Sequence, residues 1–293
     1  MTPSIPTLLE LHGILLSEEK CLEALFSYGI LNQRAPCAAC GSTTKLSRKL
    51  FRCKSGSCGK SISIFNNSFF ANSRLKCSEV LLIGYLWLSG ANSTTISIIT
   101  GHSSHTIADY LRHFQQLVAS NINEDDAIIG GPNIVVEIDE SKMGKRKYHQ
   151  GHRVEGVWVV GGIERTTERK MFATSVQDRT QETLLDVITR HVAPGSIIHT
   201  DLWRGYYGLD TIGMTHRTVN HSRHFVDPET GVHTNTIEGT WNGIKLKIAP
   251  RNRTEEHVDG HLLAFIWKRN NIENLWVGLL DALRETAFPN QTQ

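Results

Sequence analysis

Two hydrophobic rhythms divide the chain. Up to about residue 120 apolar side chains recur at helical spacing, and beyond about residue 133 they come in short, β-branched runs. Residues 5–32 read as helical, with Ser17 capping a stretch from Glu18 to Phe26 whose early acids suit a helix N-terminus. Residues 35–66 lose the periodicity and are rich in Gly and Ser. Helical spacing returns over 76–120. There Ile96, Ile98 and Ile99 are separated from Ile107, Tyr110, Leu111 and Phe114 by Gly101-His102-Ser103-Ser104. That punctuation predicts a helix-turn-helix-like region, although an ordinary helical hairpin has the same pattern.

Residues 121–133, with Asn121-Ile122-Asn123-Glu124-Asp125-Asp126 and then Gly130-Gly131-Pro132, read as a linker and a candidate domain boundary. After them, strands are expected over Ile134–Ser141, Glu155–Ile163, Lys170–Val176, Ser196–His199 and Arg217–Asn220. Helices are expected over Gln181–Val192, 236–248 and 255–270. Three strands followed by alternating helices and strands make an α/β domain with a mixed sheet and flanking helices.

The 293 residues suffice for one large domain or two modest ones. The longest apolar run, Val80 to Leu88, falls short of the roughly 20 residues a membrane helix needs. The N-terminus lacks a basic start followed by an apolar stretch, so no secretory signal is expected, and the reading is of a cytosolic or nuclear protein without membrane association. The formal net charge is only +2, yet no acid occurs between Glu23 and Glu79, where Arg48, Lys49, Arg52 and Lys54 cluster with other cations. A one-sign block beside a near-neutral total suits a polyanion-binding module, and equally a solvated basic face. Lys142, Lys145, Arg146 and Lys147 form a second basic group after the first expected strand, able to track phosphates or to line a solvated hairpin.

Four of the six cysteines, Cys37, Cys40, Cys53 and Cys58, have the spacing C-x2-C-x12-C-x4-C. Two paired-thiolate knuckles predict one tetrahedral Zn²⁺ in a zinc ribbon, with Gly41 and Gly59 supplying the tight turns. A module this small depends on the metal for much of its stability. Cys21 and Cys77 stand apart and read as core residues.

Asp139 and Asp201 follow apolar runs, and Glu238 opens an expected helix with Lys245 seven residues on, nearly on the same face. The pattern is D-x61-D-x36-E. Three carboxylates can hold a pair of Mg²⁺ ions, which serve phosphodiester chemistry, with Lys245 set to contact a phosphate. Glu137, Glu140, Asp178 and Asp210 compete for these roles, and strand alternation puts Glu137 on the same side as Asp139. His233 and Asn235 precede the helix and suit either orienting DNA or capping the helix, with Asn235 the expected cap. Trp203, Tyr206 and Trp241 read as core, the commoner role of such aromatics, rather than as base-stacking residues.

The segments Glu137-Ile138-Asp139-Glu140-Ser141, His199 through Tyr206, and His233 through Trp241 with Lys245 resemble the catalytic domain of DDE transposases of the Merlin superfamily and their bacterial insertion-sequence relatives. The cysteine module and the helical segment to Leu117 follow the same order, so the resemblance covers nearly the whole chain. Some bacterial relatives carry Asn at the third acidic position, where this chain has Glu238. The resemblance implies an RNase H-like fold over 134–275, preceded by a helical segment over 1–34, a zinc ribbon over 35–66 and a helix-turn-helix-like region over 76–120. It implies catalytic residues Asp139, Asp201, Glu238 and Lys245, two Mg²⁺ or Mn²⁺ ions, and double-stranded DNA as partner, at element ends and target. A homo-oligomer that joins two ends is expected, in a nucleus if the host is eukaryotic and otherwise in the cytoplasm. The rival readings are a domesticated DNA-binding protein that no longer cuts and a cellular RNase H-like nuclease.

Overall fold

The computed structural model describes residues 4–122, 128–144, 156–220, 225–286 and 288. They fall into two units, Met1–Asn121 with Asn271–Gln293, and Ile122–Asn270.

In the first unit the helical stretch expected over 5–32 is two helices, α1 (Leu8–Leu16) and α2 (Glu18–Ser27). Ser17 between them is extended, ends α1, and accepts from the Lys20 N–H at 3.4 Å to start α2. β1 (Thr44–Ser47), β2 (Leu50–Cys53) and β3 (Ser61–Ser63) pair antiparallel in that order. α3 (Cys77–Leu88) holds the longest apolar run. It is buried along almost its whole length, as a helix without a polar face must be. α4 (Ser93–Thr100) and α5 (Ser104–Ser120) are joined by a short turn at Gly101, whose φ of +71° lies in the left-handed region. Gly84 brings α3 close to its neighbours, since a Cβ there would stand 3.0 Å from the Phe114 ring and 3.2 Å from Leu279. Leu279 belongs to a helix, Leu275–Glu285, missing from the sequence reading. Its Leu275, Trp276, Leu279, Leu280 and Leu283 are buried in this unit. Among the described residues no helix is long and apolar enough to cross a membrane.

The second unit contains β4 (Ile129–Gly130), β5 (Val135–Met143), β6 (Val157–Glu164), β7 (Met171–Val176), α6 (Gln181–His191), β8 (Val192–Ala193), β9 (Ile197–Asp201), β10 (Thr215–Val219), α7 (Asn235–Lys247) and α8 (Val258–Asn270). The main sheet has the order β10-β9-β5-β6-β7. β5, β6 and β7 form an antiparallel meander, while β9 and β10 run parallel to β5. This is an RNase H-like mixed sheet. β4 and β8 make a small separate parallel pair. Val136, Ile138, Val160, Phe172 and Ile198 pack on one face against Leu184, Val187 and Ile188 of α6. Val157, Val159, Ile163 and Met171 pack on the other against Ile237, Trp241 and Ile244 of α7 and Val258, Leu262 and Ile266 of α8.

Two strand boundaries differ from expectation for the same reason, pairing. β5 runs to Met143 rather than Ser141, because the antiparallel ladder to β6 continues to Met143↔Val157. The fifth strand starts at Thr215 rather than Arg217, because the parallel ladder to β9 begins at Thr215↔Ile197. α8 starts at Val258 rather than 255, after a short 3₁₀ turn at Pro250–Asn252.

Gly162 is required by packing. A Cβ there would lie 2.5 Å from the Phe172 ring and 2.8 Å from Ile138 Cδ1. Gly162→Val should lower the urea midpoint by an amount equivalent to about 1–3 kcal/mol, the usual cost of overpacking. Zinc content should stay unchanged, because the cysteines belong to the other unit.

Candidate active site and metal centre

The ribbon gathers its four thiols around one point. All four Sγ atoms lie within 4.8 Å of one another, with Cys37–Cys58 at 3.7 Å and Cys40–Cys53 at 3.5 Å. Tetrahedral Zn²⁺ with Zn–S near 2.3 Å requires an S···S edge of about 3.8 Å, so the cluster fits zinc. The turns under the knuckles rest on Gly41 (φ +69°), whose N–H bonds the Cys37 carbonyl at 2.8 Å, and on Gly59 (φ +60°). The thiols titrate as a group: hydrogen bonds from Ser42 lower Cys40 to about 6, while burial and the neighbouring thiols raise Cys53 and Cys58, a crowding that a bound cation would relieve. Cys21 and Cys77 are buried, as expected of core residues.

Strand register brings the first two acids together. Parallel pairing of β5 and β9 ends at Glu137↔His199, and Asp139 and Asp201 each stand two residues farther along. Residues of matching parity on adjacent parallel strands share a face, here the one covered by α7. Asp139 therefore sits mid-strand in β5 at the point where its parallel partner leaves it, while Asp201 ends β9. Across the antiparallel ladder Asp139 faces Gly161. A Cβ at Gly161 would come within 2.7 Å of the Trp241 ring, so the glycine admits the indole, whose Nε1–H donates to Asp139 Oδ2 at 3.0 Å. Burial and the charges of Glu140 and Asp201 push Asp139 up to about 7.

Glu238 lies in the first turn of α7 and is exposed, with its Oε1 accepting from Thr234 Oγ1 at 3.0 Å. Trp241 and Lys245 follow at three and seven residues, on the same stripe. Burial lowers the Lys245 pKa, against the pull of the Asp139 carboxylate. Among the described residues only the cysteines bring three or more potential ligand atoms within 4.8 Å, so Asp139, Asp201 and Glu238 do not close to that distance.

The rival acids have other work. Glu137 is sealed from solvent. It accepts from the N–H groups of Thr236 and Ile237 at 2.8 and 3.0 Å and from Thr236 Oγ1 at 2.9 Å, with His233 Nδ1 at 3.3 Å and Arg165 at 3.7 Å. It therefore caps α7. The expectation that Asn235 caps this helix is corrected: Asn235 is its first residue, the N-cap is Thr234, whose hydroxyl bonds Glu238 instead of capping the backbone, and Glu137 from β5 satisfies the orphan donors. Glu140, on the opposite face, pairs with Arg179 at 3.1 Å and accepts from the Tyr206 hydroxyl. Asp178 accepts from Thr180 and Thr183 at the start of α6, and Asp210 accepts from the His216 N–H. Beside Glu137, burial and the charges of Arg165, Arg217 and His233 drive His199 down to about 4, so it is neutral at physiological pH.

Of the aromatics expected in the core, Tyr206 and Trp241 are buried, but Trp203 is 41 % exposed. It lies in the loop beyond β9, where no apolar periodicity reports which side is buried. Arg48, Arg52 and Lys54 line the surface of the ribbon, whereas Lys49 pairs with Glu18 at 2.8 Å. Lys142 stands over Trp158 at 5.2 Å. Lys145, Arg146 and Lys147 lie outside the described residues.

A family model described as "ISXO2-like transposase domain" matches residues 116–270. The chain is also 33 % identical over 105 residues to an "Uncharacterized transposase-like protein" of Haemophilus influenzae, an alignment that covers 36 % of this chain and 84 % of that relative.

Protein purified without added zinc should contain one zinc per chain by elemental analysis, and Cys53→Ser should lose it. A metal-free preparation with an intact ribbon would contradict the assignment. Asp139 makes a separate prediction. Its folded pKa of about 7 exceeds the ordinary 3.8. The folded chain therefore holds a proton the unfolded chain has lost, and stability falls as pH rises through that window. In zinc-loaded protein without other divalent cations, Asp139→Asn should be more stable than the parent at pH 8, by up to roughly 4 kcal/mol, with the gain shrinking toward pH 4. Thermal melts across pH check both sign and window.

Proposed function

The chain belongs to the ISXO2-like family of DDE-type transposases, and we propose that it cuts DNA at the ends of a mobile element and transfers the freed 3′ hydroxyl to a target strand. The observation that carries this reading is the register of Asp139 and Asp201 past the last shared rung of β5 and β9, facing a helix whose single stripe bears Glu238, Trp241 and Lys245.

The donor set fits hard divalent cations. All its candidate ligand atoms are carboxylate oxygens, and Asp139 is crowded by negative charge that a dication would offset. Asp139, Asp201 and Glu238 would hold two ions of the Mg²⁺ or Mn²⁺ class, which when bound make a water nucleophilic near neutral pH and stabilise the departing 3′ oxygen. Trp241 holds the Asp139 carboxylate in orientation. Lys245 offers a partly desolvated cation to the phosphate. Glu137 is a positioning residue, acting through the start of α7. Arg48, Arg52, Lys54 and Lys142 are cations suited to phosphate contact, so DNA affinity would fall steeply with salt. Two copies would hold two element ends together.

The test uses a labelled duplex carrying the inverted repeats that flank the gene. Asp139→Asn, Asp201→Asn and Glu238→Gln should each abolish Mg²⁺-dependent cleavage, beyond the roughly hundredfold loss typical of a supporting group. Glu137→Gln should melt at lower temperature yet retain measurable cleavage. A dead Glu137 variant beside an active Asp139 variant would reassign the ligand, and activity in all four would remove the metal mechanism.

A further inference from the structure

On the sheet face opposite Glu137 and Asp139, four side chains stack in alternation. Lys142 Nζ lies 5.2 Å from the centre of the Trp158 ring, and Arg179 Cζ lies 3.8 Å from that ring and 4.7 Å from the ring of Trp203. Cations and π faces attract, so the ladder is self-supporting. It is also braced from below. Arg179 bonds Glu140 at 3.1 Å, and Glu140 accepts from the hydroxyl of Tyr206, which is wholly buried. Trp203 is tied to the acidic site, because its backbone N–H donates to Asp201 Oδ1 at 2.9 Å.

A stack serving only the core would be sealed. Here Trp203 is 41 % exposed, flanked by Leu202 at 48 % and Tyr207 at 54 %. Gly205 leaves room for the indole edge, since a Cβ there would stand 2.8 Å from Trp203 Nε1. An exposed indole seated on an arginine, two residues from an acid proposed to hold metal, is a binding surface with two chemical demands. Its ligand must present a flat π face and a negative charge. An unpaired nucleotide meets both, whereas the side of an intact duplex hides its base faces.

We propose that the Lys142–Trp158–Arg179–Trp203 ladder is a ledge on which an unpaired nucleotide of the DNA strand stacks beside the cleavage site, with its phosphate drawn by Arg179 and Lys142. This rests on the transposase reading above. The ledge favours substrate whose strands have parted next to the scissile phosphate.

The experiment compares a blunt fluorescein-labelled duplex with the same duplex bearing a single-stranded oligothymidine tail, by anisotropy with Ca²⁺ replacing Mg²⁺. In the parent protein the tail should tighten binding about tenfold, the scale of one stacked base. Trp203→Ala should reduce that gain below about twofold without changing blunt-duplex affinity, and Trp203→Phe should keep most of it. A readout independent of the variants is 2-aminopurine fluorescence, which the parent should quench in the tail and not within the duplex. A tail that gives no gain, a gain that survives Trp203→Ala, or unquenched 2-aminopurine overturns the ledge alone. Failure to bind either duplex overturns the DNA reading and the ledge with it.

Discussion

One buried carboxylate holds the acidic face together. The first turn of a helix leaves N–H groups without partners, and a sealed anion without partners is costlier still. Glu137 and α7 resolve both problems in one contact, since the Thr236 and Ile237 N–H groups and the Thr236 hydroxyl all point to that side chain. Arg165 and His233 complete its surroundings. Asp139 stands two residues after Glu137, and Glu238 two residues after Thr236. Fastening these anchors ties the strand that carries Asp139 to the helix turn that carries Glu238.

The neighbouring positions show how tightly one sheet separates two tasks. Gly161 and Gly162 are adjacent, and each gives up a side chain to a ring on a different face, Trp241 on one and Phe172 on the other. Asp139 and Glu140 are likewise adjacent and turn to different faces, one toward α7 and the other toward Arg179 and Tyr206. Their charges still meet through the thin sheet and help raise the Asp139 pKa. An arrangement that stores repulsion at a buried acid costs stability once that acid is ionised.

The family match over 116–270 nearly coincides with the second unit, which runs from Ile122 to Asn270. The ribbon, its four-cysteine cluster and helices α1 to α4 lie outside the matched region and fold with the C-terminal helix in the first unit. The transposase-domain scaffold and the four-cysteine module are therefore distinct in the chain.

The sequence determined a good deal unaided. Cysteine spacing announced the zinc ribbon, because a chelate needs close ligands on short turns. Helical and strand rhythms marked the five strands of the main sheet and the helical stretches before Asn271, because each such segment records which of its sides is buried, whereas the short strands β1 to β4 and β8 left no such mark. The helix Leu275–Glu285 was legible too, through Asn274 and the repeat of Leu275, Leu279 and Leu283, and went unread. Strand alternation put Glu137 and Asp139 on one side and could not rank them. Tertiary structure separated them, because Glu137 finds its donors at residues 236 and 237, about a hundred positions away. The extension of β5 past Ser141, the capping of α7 from a distant strand, and the stacking of Arg179 between Trp158 and Trp203 have the same origin. Local pattern tells a residue whether to be buried; what it meets there is decided only when distant segments close on each other.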